Sequence, residues 1–322
     1  MPCFTPLTAF ITPWQTNAQS GKSYRKVSFK EDSDHSININ LACGQCIGCR
    51  LEKSKQWAVR CMNEAQMHIK NCFITLTYND DHLPGDQSLH HRDFQLFFKR
   101  LRKKYQGHQI RYYMAGEYGE NYGRPHFHAC IFGWKPSDLK HWKKTGDSNL
   151  YRSQELESLW VDNNGNSIGY TSVGDVTFES AAYVARYIIS KQNSDKINPK
   201  TGKPYNAVYD YINPKTGELT KKTPEYNKMS LKPGIGATWI EKYMSDVYPS
   251  GEIIIRGNKK VMTPKYYDKQ FKKIADPYVF DEMLYIREKN AKLKADDNTP
   301  ERLEVKRQVM AAGLKLKKRV LT

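Results

Sequence analysis

The sequence predicts an α+β fold, an antiparallel sheet with helices on one face. Three observations predict it: short β-branched and aromatic runs, longer Gly- and Pro-free segments with apolar residues along one side, and the order in which these alternate. Residues 1–42 are polar and irregular, with extended stretches such as 24–29. Residues 50–69 contain no Gly or Pro, and Trp57, Cys61, Met62 and Ala65 can share a face at helical spacing. Phe73-Ile-Thr-Leu-Thr-Tyr78 is a buried strand, and 79–85 is turn material. Residues 92–105 form a helix with Phe94, Phe97, Phe98 and Leu101 on one side and Lys and Arg on the other. Residues 110–114 and 126–132 are strands joined by a Gly-rich turn at 116–125, a connection short enough to make them antiparallel. Residues 151–160 read as helix, 173–178 as a fourth strand, and 180–191 as an Ala-rich helix with Ser180 as its N-cap. The stretch 192–235, rich in Lys, Pro, Gly and Asn, reads as a long loop or flap. Residues 239–243 look helical, 253–255 form a short strand, and from Pro277 the chain is charged and helical with a basic end at Lys315, Lys317, Lys318 and Arg319. The order strand, helix, strand, strand, helix, strand, helix suits a ferredoxin-like plan.

Composition narrows the partners. The chain has 322 residues, with Lys and Arg at 51 against Asp and Glu at 34, a formal charge of +17. That balance points to a polyanion, and nucleic acid is read ahead of a membrane surface. Tyr occurs 21 times, and Tyr interleaved with Arg on a basic chain suits stacking on unpaired bases. The mean hydropathy is −0.75, no apolar run approaches the ~18 residues of a membrane span, and the first 14 residues do not read as a signal peptide. Gly21-Lys22-Ser23 echoes a phosphate-binding loop, but position 16 is Thr and no strand leads into it, so a nucleotide site is rejected.

Three constellations carry chemistry. In His126-Phe127-His128, strand alternation sends both imidazoles to one side and Phe127 to the other. Two imidazoles on one face can bind a divalent cation. A carboxylate completes the set; Glu117 at the end of the preceding strand is better fixed than Glu120 in the turn. Two imidazoles and a carboxylate leave positions open for phosphate oxygens and accept Mg²⁺ or Mn²⁺. In the second, Tyr183, Tyr187 and Lys191 recur every four residues and so line one helix face, with Arg186 between them. A phenol near a cation can attack a phosphorus in line and retain the phosphate as an ester. Its ordinary pKa of about 10 means that it needs activation. The plain alternative is an aromatic stripe packed on the sheet. The third is Cys43-x-x-Cys46-x-x-Cys49, with Cys3 as fourth ligand, a set suited to structural Zn²⁺. Cys61 is the rival fourth ligand although its slot reads as core; an iron–sulfur cluster is the rival occupant, and three free thiols are the plain alternative.

Together these motifs resemble the HUH endonuclease superfamily of rolling-circle initiators, relaxases and transposases: Phe73–Tyr78 is similar to its first motif, His126-Phe-His128 to its second, and Tyr183, Tyr187 and Lys191 to its third. Met1-Pro-Cys3, Cys43-Gly-Gln-Cys-Ile-Gly-Cys-Arg50, Gly116-Glu-Tyr-Gly-Glu120, Arg124-Pro-His-Phe-His128, Phe178-Glu-Ser-Ala-Ala-Tyr-Val-Ala-Arg-Tyr187 and Lys232-Pro-Gly-Ile-Gly236 narrow the resemblance to the replication initiation proteins of gokushovirus-type microviruses. A Tyr-x-x-Lys form is absent: Arg186 stands three residues after Tyr183, and Lys191 four after Tyr187. The resemblance implies an origin-specific, metal-dependent nickase and strand transferase that uses Tyr183 and Tyr187 as alternating nucleophiles, with Lys191 and Arg186 on the phosphate. It also implies phage DNA as substrate, host helicase and polymerase as partners, and the host bacterial cytoplasm as its location. The corresponding division is a Cys-rich segment and helix over 1–70, a nicking domain over 71–192, a flap over 193–275 and a helical tail over 276–322. A relaxase- or transposase-type nickase and a non-catalytic zinc-dependent DNA-binding protein are the rival readings.

Overall fold

In the computed structural model the chain divides into two units, one containing Met1–Glu52 and Arg287–Lys318, the other Lys53–Ile286. The structure describes all residues except 1–2, 20–22, 33, 35–36, 120–122, 147, 191–196, 198–201, 215, 249, 257–258, 294 and 317–322.

The first unit holds β1 (Leu7–Ile11), β2 (Gln15–Thr16), β3 (Ser23–Tyr24), β4 (Val27–Ser28) and β5 (Ile37–Leu41). β1 lies between β4 and β5, antiparallel to both, with Leu7 opposite Leu41 and Ile11 opposite Ile37. The helix α1 (Ile47–Gln66) starts in this unit and continues into the second.

The second unit continues with β6 (Asn71–Tyr78), α2 (His91–Lys104), β7 (Arg111–Tyr118), β8 (Pro125–Phe132), β9 (Lys140–Thr145), β10 (Ser148–Arg152), α3 (Gln154–Glu157), β11 (Gly169–Gly174) and α4 (Phe178–Ser190). Then follow β12 (Asp210–Ile212), β13 (Leu219–Lys221), β14 (Tyr226–Met229), α5 (Ala237–Lys242), α6 (Met244–Val247), β15 (Glu252–Arg256), β16 (Lys259–Met262), α7 (Lys265–Ile274) and α8 (Pro277–Lys292), whose last residues belong to the first unit. The helix α9 (Pro300–Leu316) belongs to the first unit. Seven strands form one antiparallel sheet in the order β14-β7-β8-β6-β11-β10-β9.

The observed architecture is α+β with a large antiparallel sheet, but the expectation of helices on one face is corrected: both faces are covered. Alternation divides the central strands. Ile74, Leu76, Met114, Phe127, Ala129 and Ile131 pack with Phe94, Phe97, Phe98 and Leu101 of α2. Phe73, Tyr113, Ala115, Cys130 and Phe132 pack with Ala58 and Cys61 of α1 and with Ala181–Ala185 of α4. All eight residues of β8 are buried as a result, which is the pattern of a strand enclosed between layers. Tyr267 and Phe271 of α7 and Val59 of α1 belong to a third apolar cluster with Trp239 and Tyr248.

Four further expectations shift. The fourth strand begins at Gly169, because there the backbone of β11 passes so close to β6 that a Cβ would collide with the carbonyl of Thr77 and lie 2.7 Å from Tyr78 Cα. Residues 151–160 give only the single helical turn α3, since Tyr151 and Arg152 are held in β10 by pairing with β9. The cap of α4 is Thr177, not Ser180: the Ser180 N–H donates to Thr177 Oγ1 at 3.1 Å and the Thr177 N–H donates to Ser180 Oγ at 2.8 Å, a reciprocal cap. The stretch 192–235 is not loop throughout. β14 pairs with β7, and Asn227 Nδ2 donates to the carbonyls of Met114 (3.3 Å) and Val184 (2.9 Å), so side-chain hydrogen bonds fix a strand that has little apolar pattern.

A buried ion pair ties α1 to β7. Glu64 and Arg111 side chains are 2% and 6% exposed. Arg111 Nε donates to Glu64 Oε1, and Arg111 Nη2 donates to the Pro233 carbonyl at 2.6 Å. The Gly236 N–H donates to Glu64 Oε2 at 2.6 Å, so Lys232-Pro-Gly-Ile-Gly236 is clamped by the same pair. Burial favours the neutral acid at Glu64, yet His68, the Gly236 N–H and Arg111 together hold its carboxyl below the usual range. Glu64→Ala should therefore lower stability by about 3–5 kcal/mol, because it leaves a guanidinium buried without its counter-ion; denaturant unfolding followed by circular dichroism measures this.

Candidate active site

The site is assembled on β7, β8 and β6. β8 lies between the other two, with His126 opposite Glu117 on β7 and Thr77 on β6, and His128 opposite Ala115 and Thr75. Residues directly opposite in an antiparallel ladder point to the same side. The register alone therefore brings Glu117, His126 and His128 together on the α1–α4 face, while Phe127 turns to the α2 side against Tyr78, Phe94 and Trp160. The three side chains are 2%, 9% and 1% exposed.

Glu117 Oε1 stands 2.6 Å from His126 Nε2 and 2.6 Å from His128 Nε2. Both rings are oriented from their other nitrogen. His126 Nδ1 lies 3.0 Å from the Arg124 carbonyl, and His128 Nδ1 lies 2.9 Å from Thr75 Oγ1. A carbonyl can only accept, so His126 Nδ1 carries the proton and Nε2 is the atom presented to Glu117. The Arg124 carbonyl also accepts from the Gly119 N–H at 2.9 Å, and Arg124 itself donates to the Tyr78 carbonyl at 3.0 Å. Arg124 is thereby fixed to the end of β6.

The three buried side chains perturb one another's ionisation. Burial opposes ionisation of Glu117, but the two imidazoles, through charge and hydrogen bonds, hold its carboxyl below the usual range. Burial also opposes protonation of His126, and there Glu117 and the Arg124 carbonyl prevail and raise its pKa. At His128 burial prevails over Glu117, and the pKa falls.

The donor set fits a divalent cation. One atom from each of Glu117, His126 and His128 lies within 4.8 Å of the others. The second carboxylate oxygen, Glu117 Oε2, is buried and has no hydrogen-bond partner among the described residues. Imidazole nitrogens and a carboxylate, each ring held by an outer partner, are the arrangement that metal ligands commonly show.

α4 brings the tyrosine helix to the same place. The Tyr183 ring is 5.2 Å from the His128 ring, at 83°, and 6.5 Å from Phe73, which stacks on His128 at 5.4 Å. Ser54 Oγ donates to the Ala182 carbonyl at 3.0 Å, which holds α4 to α1. The structure thus gathers Glu117, His126, His128 and Tyr183. The backbone of Arg186 and Tyr187 continues α4, whereas Lys191 and Glu120 lie outside the described residues. Thr75, Phe73 and the Arg124 carbonyl complete the site; the sequence placed them in motifs but assigned none of them a role. Thr75 and Phe73 were accessible to the same alternation that pairs the histidines, since 73, 75 and 77 share one face of their strand.

Cys3, Cys43, Cys46 and Cys49 form a second group whose Sγ atoms lie within 4.8 Å of one another. Cys61 is instead fully buried in the α1–α4 apolar cluster with Cys130.

The family model for the replication-associated protein ORF2/G2P matches residues 71–193, which span β6 to α4. The chain is 33% identical to replication-associated protein VP4 of Bdellovibrio phage phiMH2K over 254 residues, covering 76% of this chain and 72% of that protein. It is 29% identical to replication-associated protein ORF2 of Spiroplasma virus 4 over 320 residues, covering 91% and 87%. Replication-associated protein ORF4 of Chlamydia phage 1 is 27% identical over 270 residues, covering 80% of this chain and 61% of that protein. No solved structure shows significant similarity to the chain. With the family match lying on the very strands and helix that carry the site, and relatives aligned along most of its length, the chain belongs to the replication-associated proteins of gokushovirus-like microviruses.

Proposed function

We propose that this protein initiates rolling-circle replication of a phage genome by nicking the origin strand and later rejoining it, as an HUH-type endonuclease on a ferredoxin-like sheet core. The observation that carries the reading is the Tyr183 ring set against His128 beside a buried Glu117–His126–His128 cluster. The replication-associated relatives support the biological setting.

Glu117, His126 and His128 would hold Mg²⁺ or Mn²⁺. Such an ion supplies Lewis-acid polarisation of a non-bridging phosphate oxygen. The remaining chemistry belongs to the chain. A tyrosine oxygen attacks the scissile phosphorus in line and loses its proton, the bond from phosphorus to the 3′-oxygen breaks, and that oxygen takes up a proton to become a 3′-OH. The 5′-phosphate stays on the tyrosine as an ester. Tyr183 and Tyr187 are the two nucleophiles, one helical turn apart, about 6 Å along α4. One opens the origin and the other cuts the regenerated origin, after which the freed 3′-OH attacks the phosphotyrosine and closes the circle. Arg186 and Lys191 steady the phosphate. The 3′-OH primes a host polymerase and a host helicase unwinds the duplex, which places the reaction in the bacterial cytoplasm. No helix among the described residues is long and apolar enough to cross a membrane.

The sheet edge fits the substrate. On β9, Lys140, Lys143 and Lys144 accompany Trp142, which is 46% exposed. The Trp142 ring has Lys143 Nζ at 4.5 Å and the Arg152 guanidinium at 4.4 Å. Cations beside an exposed ring suit a phosphate backbone and an unpaired base.

Three outcomes are expected. With Mn²⁺ and labelled single-stranded oligonucleotides tiling the corresponding phage genome, a denaturing gel should show a slow covalent adduct. The adduct should persist in Tyr183→Phe and in Tyr187→Phe and vanish in the double variant. Its loss in Tyr187→Phe alone would leave Tyr183 as a packing residue, and DNA retained without any adduct would favour a non-catalytic DNA-binding protein. Thr75→Val should weaken Mn²⁺ binding about 10–100-fold by calorimetry, since it releases the His128 ring. Lys143→Ala with Lys144→Ala should weaken DNA binding uniformly across sequences and reduce the salt slope by about 2.

A further inference from the structure

The first unit brings four thiols to one point by topology. Because β1 and β5 pair with Leu7 opposite Leu41, the residues before β1 and those after β5 lie at the same end of the ladder. Cys3 and Cys43 occupy those two positions. Cys46 immediately precedes α1, and Cys49 lies in its first turn. Gly44 takes φ +73°, a conformation that lets Cys43-Gly-Gln-Cys46 fold into a tight knuckle and that side chains rarely adopt.

The spacing distinguishes a metal site from a disulfide. Cys3 Sγ lies 3.7 Å from Cys43 Sγ and 3.9 Å from Cys46 Sγ, and Cys43 Sγ lies 4.0 Å from Cys49 Sγ. A disulfide requires about 2.05 Å. A tetrahedron of thiolates at about 2.3 Å from a central zinc has edges of about 3.8 Å. The sulfurs also receive donors: the N–H groups of Phe4, Cys43 and Cys46 donate at 3.3 Å to Cys46, Cys3 and Cys43 respectively, and Thr5 Oγ1 donates to Cys43 at 3.3 Å. Such donors stabilise sulfur-borne negative charge. Among the described residues no His, Asp or Glu joins the group.

We propose that Cys3, Cys43, Cys46 and Cys49 bind one Zn²⁺ in a closed four-thiolate site that fastens the residues before β1 to the start of α1. With four protein ligands the site has no open position and its role is structural. The inference is independent of the nickase reading, because it uses a different donor set.

The test uses the full chain, as wild type and as a His126→Ala/His128→Ala variant in which the other cluster is disabled. Elemental analysis should find at least one zinc per chain in the wild type, one in the histidine variant, and one fewer when Cys43→Ser is added to either. Growth on Co²⁺ should give thiolate-to-cobalt charge-transfer absorption with the strong visible bands of tetrahedral cobalt. If Cys43→Ser fails to fold, the wild type decides: titration with a mercurial should release the zinc as four thiols are consumed. Wild-type protein without zinc, zinc lost in the histidine variant but kept in Cys43→Ser, or iron and sulfide in place of zinc would each overturn the proposal.

Discussion

A carboxylate whose side chain is 2% exposed cannot stand alone, and the central sheet of this fold turns on how Glu117 is accommodated. An uncompensated buried charge costs several kcal/mol. The compensation comes from two imidazoles on the next strand, and it holds only while β7 and β8 keep their register. A slip of one residue would send His126 and His128 to the α2 side and bring Phe127 against the carboxylate. The same register places Thr75 on His128 and the Arg124 carbonyl on His126, so ring orientation is not left to side-chain freedom. The buried charge and its neighbours thus specify the pairing of the three central strands as strongly as the apolar residues between them.

The two-sided burial of β8 follows from the same constraint. A strand that presents Phe127, Ala129 and Ile131 to one side and two histidines, Cys130 and Phe132 to the other needs a layer on each. On the α2 side that layer is aromatic packing. On the other side it consists of α1 and α4, and α4 sets the Tyr183 ring beside His128. The Glu64–Arg111 pair and the Asn227 bonds position that layer through the backbone, at Pro233, Gly236, Met114 and Val184, instead of through apolar area alone.

What was legible in the sequence had a period. His126-Phe-His128, the Phe73–Tyr78 run and the four-residue spacing of the tyrosines each express strand or helix geometry directly, and each lies on the element its pattern implied. The unread parts were polar. β9, with Lys140, Lys143 and Lys144, and β14, with Asn227 and Lys228, are the two end strands of the sheet; edge strands are held by one ladder and carry charge, so they show little alternation of the usual kind. The second helical layer was also missed. Its sign was the unbroken apolar run from Phe127 to Phe132 around one His, which fits burial on two faces better than on one. Ser180 was read as a cap because its residue type suits the role, yet Thr177, of the same chemistry, takes it by being three residues earlier.

The two clusters of metal-binding residue types divide by chemistry. Glu117, His126 and His128 offer oxygen and nitrogen from a rigid, doubly covered sheet, the donors that suit hard or borderline ions and leave room for phosphate. Cys3, Cys43, Cys46 and Cys49 offer only sulfur, from a strand end and a helix start that have little apolar packing of their own, a set that discriminates against Mg²⁺ and Mn²⁺. Ligand softness thus keeps hard ions from the thiols, but the affinity order still places zinc above manganese at a mixed nitrogen and oxygen site. An all-thiolate site that takes up zinc at one zinc per chain does not protect the histidine cluster from excess zinc. On the proposed reading, the cell's supply of free ions, together with the phosphate oxygens of a bound substrate, would decide what the histidines hold.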